Sequence, residues 1–180
     1  STKQLLPGYL NDKSFLVARP EGERLRTSPI VPAEENMMHI ETEAYLATDG
    51  ALSGRSVLRF DGVNDNAYRG YFARIKPHER RRLFEGLVKR VAPGARLDDF
   101  RLSPADMMDT TQDLVVELAF SANDLLISGE NASMLPLPRF GTRIGYTNFI
   151  LEGAGLDERQ YPLKTEIACG VKETFSLRIA

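Results

Sequence analysis

Two runs of alternating apolar residues, joined at Asp49-Gly50, constrain this chain more than any other feature. Ile40, Ala44 and Leu46 alternate with Glu41, Glu43 and Tyr45, while the return run puts Leu52, Gly54, Leu58 and Phe60 on one parity and Arg55 and Arg59 on the other. Successive side chains of a strand point to opposite faces, so a period of two gives each strand a buried and a solvated face. Asp-Gly between such runs is the signature of a tight hairpin turn. The pattern predicts antiparallel sheet with one apolar and one polar face. The same period returns in Leu114, Val116, Leu118 and Phe120, and again in Phe175, Leu177 and Ile179.

A second periodicity marks one helix. Pro77 suits a first helical turn, Pro93-Gly94 ends the run, and Leu83, Phe84, Leu87, Val88 and Val91 form a single apolar stripe near 77–92. Shorter strands are expected at Phe15–Val17, around Leu25, and at Leu125–Ile127, Tyr146–Leu151, Leu163–Ile167 and Val171–Ile179. Pro29 and Pro32, within Thr27–Ala33, favour an extended linker. The predicted class is mainly β, a β-rich α+β fold. Its form is an antiparallel β-sandwich-like domain with one amphipathic helix, preceded by a short β appendage. Periodicity leaves open whether there is one sheet with a helical cover or two packed sheets. Leu5 to Leu10 runs straight into Phe15-Leu16-Val17, and alternation continues to Ile179, so strand material is expected at both ends. That pattern suits a piece of a longer protein, because intact chains cover such edges.

With 180 residues, 42% of them apolar, the chain can bury a proper core in one domain with or without a small appendage. A net charge of −2 gives no electrostatic reason to expect nucleic acid or an anionic membrane. No apolar run approaches the roughly 20 residues of a membrane span, and no charged-then-apolar segment stands at the start, which in a piece of a longer protein says nothing about its export. Cys169 is the only cysteine, which rules out an internal disulfide and a cysteine-based zinc site.

A Cys169 nucleophile needs a base, and His39 and His78 are the only histidines. Cys169 precedes Gly170 in a turn between strands, His39 falls on the polar parity, and His78 opens a basic helix. The bland reading is therefore a semi-buried thiol and two surface imidazoles. Asp61-Gly62-Val63-Asn64-Asp65-Asn66 is oxygen-rich, but Val63 and Asn66 stand where a calcium loop wants an oxygen ligand and a glycine, so a solvated turn is expected. Arg80-Arg81-Arg82, Lys89 and Arg90 make a basic helix face diluted by Glu79 and Glu85, which reads as solvated. Asp98-Asp99 would point to opposite faces of a strand. Asn131-Ala132-Ser133 matches a glycosylation sequon, and Met37-Met38 and Met107-Met108 suit core or edge gaps. No cofactor motif is present. Tyr68, Tyr71 and Phe72 form the one aromatic cluster suited to binding, although the absence of tryptophan weakens a sugar-stacking role.

Several short motifs then fall in order: Leu6-Pro7-Gly8-Tyr9-Leu10, Ala18-Arg19-Pro20-Glu21-Gly22, Thr27-Ser28-Pro29, Pro32-Ala33-Glu34-Glu35-Asn36, Asp49-Gly50-Ala51-Leu52-Ser53-Gly54 and Arg159-Gln160-Tyr161-Pro162-Leu163. In this the chain resembles the C-terminal portion of exported bacterial transglutaminase-like proteins, in which a papain-like core lies between two β-rich domains of unknown function. The resemblance implies that residues 1–33 are trailing strands of such a core plus a proline-rich linker, and that residues 34–180 are the β-rich accessory domain. The family's catalytic Cys, His and Asp precede the matching segment, so no catalytic residue carries over. The implied location is the periplasm or cell surface.

Three functions compete. The first is a non-catalytic accessory domain whose partner is the parent's own transglutaminase-like core. The second is a stand-alone β-sandwich module binding peptide, glycan or another cell-wall ligand through Tyr68, Tyr71 and Phe72. The third is a thiol enzyme using Cys169. The first is preferred, because no convergent polar site is visible.

Overall fold

The computed structural model describes residues 10–152 and 154–180. Ser14–Arg19 (β1) and Gly22–Thr27 (β2) form an antiparallel hairpin with Leu16 opposite Leu25. The Ser28 N–H donates to the Lys13 carbonyl, and the Ser28 hydroxyl accepts from the Lys13 N–H, extending the brace past the last strand pair. Pro29 to Pro32 carries no regular structure and gives way to a short 3-10 turn at Ala33–Asn36.

The main body follows. Met37–Leu46 (β3) and Leu52–Phe60 (β4) pair in the hairpin the alternation predicts, with Ile40 opposite Leu58. Two helices come next, Val63–Arg74 (α1) and Pro77–Val91 (α2), and then a second antiparallel pair, Arg96–Ser103 (β5) and Leu114–Ala122 (β6). Ile127–Ser128 (β7) and Ser133–Met134 (β8) make a minimal hairpin, Tyr146–Leu151 (α3) a short helix, and Gly170–Ile179 (β9) the last strand. The five-stranded sheet has the order β5-β6-β4-β3-β9. All its pairs are antiparallel except β3–β9, which run parallel.

One face of this sheet is the core. Met38, Ile40 and Leu46 on β3, Leu52, Leu58 and Phe60 on β4, and alternate residues Leu114 to Ala122 on β6 are all buried. Phe84 and Val88 of α2, with Phe140 from a 3-10 turn, cover them at 0% exposure. The cross-strand pair Thr42–Ser56 lies within this apolar face, and its two hydroxyls satisfy each other at 2.7 Å. A buried polar pair of this kind is tolerated because neither group is left unpaired. Gly54 is the seat for the Phe120 ring opposite it, since a Cβ there would run into the ring.

The β-rich α+β class stands. The open alternative resolves as one main sheet with a helical cover, beside two small hairpin sheets; the main sheet is mixed rather than purely antiparallel, and α2 is joined by two further helices. Asp61–Asn66, expected to be a solvated turn, is the entry to α1, with Asn64 and Asp65 buried. Tyr146–Leu151 is helix instead of strand, and Leu163–Ile167 has no regular structure. Met38 and Met107 are core residues, whereas Met108 is exposed. The Leu5–Tyr9 part of the N-terminal strand reading lies outside the described residues. Among the described residues, no helix is long and apolar enough to cross a membrane.

Candidate functional site

The site is organised by α1, which begins at a residue only glycine tolerates. Gly62 has φ 55°, and a Cβ there would collide with the Glu35 carbonyl and the Asn36 carboxamide. Asn36 is the hub. Its Oδ1 accepts from the Val63 N–H (2.9 Å), its Nδ2 donates to the Ala168 carbonyl (2.9 Å), and its own carbonyl accepts from Asn64 Nδ2 (2.8 Å). Asn64 Oδ1 then accepts the Tyr146 N–H at 2.7 Å. Two buried carboxamides thereby fix the starts of β3, α1 and α3 and the approach to β9.

One turn on, Arg69 pairs with Asp65 through two parallel 2.8 Å bonds. It also donates to the carbonyls of Met107, Asp109 and Gln112. Every guanidinium nitrogen has a partner, although Arg69 is 3% exposed. The Asp65 carboxylate beside it pushes the Arg69 pKa further up. This pair is structural, stapling the loop between β5 and β6 to the inner side of α1.

The outer side of α1 opens into a groove of about 500 Å3. Its floor is the outer end of the aromatic core. Ring centroids step from Phe60 to Tyr68 (5.0 Å), from Tyr68 to Phe72 (5.9 Å) and from Phe72 to Phe84 (5.7 Å). Ala67 and Tyr71 on α1 and Leu83 and Leu87 on α2 form two walls, and Tyr146 and Phe149 of α3 close the third side. The Tyr68 hydroxyl accepts the Gly145 N–H at 2.7 Å, tying that third wall to α1. Burial raises the Tyr68 pKa above its ordinary value, and the Gly145 bond only partly offsets this.

Tyr68, Tyr71 and Phe72 therefore meet at one groove but differ in access. Phe72 and Tyr68 are floor, whereas Tyr71 is 43% exposed. The lining also includes Arg74, Arg90 and Arg143 and no acidic residue. Tyr146 and Phe149 fall in the segment that the sequence reads as a strand, and Arg143 just before it, so none of the three is expected at this site. Arg90 lies on the helix face that the sequence reads as solvated, and the structure sets it at the rim of the groove. The i, i+4, i+7 spacing of Leu83, Leu87 and Arg90 was the available signal.

The other candidates lie apart from the groove lining. Cys169 is half-buried with its Sγ 3.6 Å from the Thr147 hydroxyl. His39 Nε2 lies 3.6 Å from Asp61 Oδ2, and exposed His78 lies 4.0 Å from Glu79. Asn131 sits in the exposed turn between β7 and β8. Among the described residues, no three His, Cys, Asp or Glu side chains group as metal ligands would.

A second surface stands out at hairpin β1–β2. Phe15 is 44%, Leu16 57% and Leu25 73% exposed, and no residue of either strand is buried. A scan against protein-family models and searches of curated proteins and of solved structures found no match to this chain.

Proposed function

We propose that this chain is a non-catalytic interaction domain of a cell-envelope transglutaminase-like protein, and that it works by packing against that protein's catalytic core. Residues 1–33 belong with the core in this reading, and residues 34–180 are the accessory domain. The observation that carries it is hairpin β1–β2. A two-stranded hairpin is marginal in water and needs a third strand or an apolar layer against one face. This one leaves Phe15, Leu16 and Leu25 to solvent and shares no sheet with the body. The ordered motifs from Leu6 to Leu163 supply the family, and the partner is a core whose sheet the hairpin completes.

The test is the coding sequence upstream of Ser1 together with a binding experiment. A domain with Cys, His and Asp in that order is expected there. Expressed separately, it should bind this chain, and Leu16→Glu with Leu25→Glu should abolish the binding. An upstream sequence without such a core, or a core that ignores this chain, overturns the proposal.

A second reading rests on the groove. Three aromatics that are close in sequence converge there with a third wall from α3, which favours a peptide- or glycan-binding role for the same domain.

A further inference from the structure

We infer that the groove between α1, α2 and α3 is a docking site for an acidic amphipathic helix, supplied by a protein partner. This deepens the peptide-binding reading and is independent of the hairpin's docking on a core. Ala67, Tyr71 and Arg74 on α1, and Leu83, Leu87 and Arg90 on α2, follow the same i, i+4, i+7 order. Each wall is thus a row of apolar side chains ending in a guanidinium. Arg143 adds a third cation from the opposite wall.

The charge is one-sided and unspent. No acidic side chain lines the groove, and no side chain of Arg74, Arg90 or Arg143 makes an ion pair or hydrogen bond among the described residues. Arginine at a helix C-terminus is ordinary, because it faces the negative end of the helix dipole. Arg143 ends the three-residue 3-10 turn at Phe140–Thr142 and precedes α3, so no α-helix C-terminus faces it. Three unpaired cations around an apolar floor complement an occupant that is apolar on one side and carboxylate-rich beside it.

The geometry also selects the backbone form. An extended peptide that binds by strand addition needs a free strand edge. Here the flanking elements are helices whose main-chain groups bond internally, so the walls offer no such edge. A helix needs none, and it presents side chains at i, i+4 and i+7 to match the rows on both walls. A small anion would engage one arginine and leave the rows unused.

The probe is a fluorescein-labelled peptide of about four helical turns, with Leu or Phe at i, i+4 and i+7 and Glu on the flanking positions. Fluorescence anisotropy should show micromolar binding that weakens as salt is raised. Arg90→Glu with Arg143→Glu, both exposed positions, should weaken it about tenfold, and Tyr71→Ser, also exposed, should weaken it without changing the salt dependence. Far-ultraviolet circular dichroism checks that each variant is folded. Equal binding of a Gln-for-Glu peptide overturns the inference, as does binding of the anionic dye ANS without any binding of the peptide. Retained peptide binding by the Leu16→Glu, Leu25→Glu chain would separate this site from the proposed core contact. Peptide binding lost in that variant but kept in the arginine variants would place the peptide on the hairpin and overturn it.

Discussion

Tyr68 serves two structures with one side chain. Its ring is floor for the groove, and its hydroxyl is the acceptor for the buried Gly145 N–H. Tyr68→Phe keeps the ring and removes the acceptor, so a buried donor is left unpaired. The expected cost is about 1–3 kcal/mol in urea unfolding at neutral pH. The direction of the pKa shift adds a test at alkaline pH. Below the ordinary tyrosine range both folded and unfolded chains keep the proton, and Tyr68's contribution is complete. As pH rises through that range the unfolded chain releases its proton first, because burial raises the folded pKa. Stability must then fall until Tyr68 itself ionises. The Phe variant should show a shallower alkaline loss than the parent. Parallel alkaline slopes would remove Tyr68 as the source.

At the level of elements, α1 shows why one helix was legible in the sequence and another was not. The inner stripe of α2 is wholly apolar, so its period of 3.6 is plain from Leu83 to Val91. The inner side of α1 carries Asn64, Asp65 and Arg69, all buried and all satisfied, and these read as loop residues. Tyr68 and Phe72 share that buried face, so polar and apolar residues alternate on it and no continuous apolar stripe marks the helix. Tyr146–Leu151 failed for a different reason. Its aromatic and β-branched residues favour a strand, and the cap from Asn64 and the packing against Tyr68 override that preference. The polar interior of α1 also carries a prediction. Arg69→Met removes the bidentate partner of buried Asp65 and the donor to three loop carbonyls. A loss of about 3–5 kcal/mol is expected, the cost of breaking a buried pair from one side. Adding Asp65→Leu should recover only part of it, since the carbonyls of Met107, Asp109 and Gln112 stay without their donor. Full recovery would show that the ion pair, and not the loop staple, is what Arg69 supplies.

Across the whole molecule, the body and the hairpin differ in what protects them. Strand β4 lies in the middle of the sheet with β3 and β6 on either side, while among the described residues β1 and β2 pair only with each other. Amide hydrogen exchange should therefore be slowest in β4 and its neighbours, and orders of magnitude faster in Ser14–Thr27 of the isolated chain. Hairpin amides protected as well as those of β4 would mean that the hairpin unfolds only with the body. The sheet's alternation could be read directly from sequence, since one face meets the core and the other meets water. The groove could be read only in part. Tyr68, Tyr71 and Phe72 are close enough in sequence to be noticed, but the walls that turn them into a site are brought in by folding. The parallel direction of β9 was equally invisible, because a period of two is the same in either direction.

That parallel strand sets an order of assembly. Met37 pairs with Gly170, and the register runs on to Leu46 and Ile179, so β3 is among the first strands of the sheet to be synthesised and its edge partner is the last. As the chain leaves the ribosome, β3, β4, the helices and β6 can gather while β9 is still being made. Until it arrives, the backbone N–H and C=O groups along one edge of β3 have no strand to bond. Through that interval the nascent protein presents an adhesive seam, open to any other strand that reaches it before β9 does.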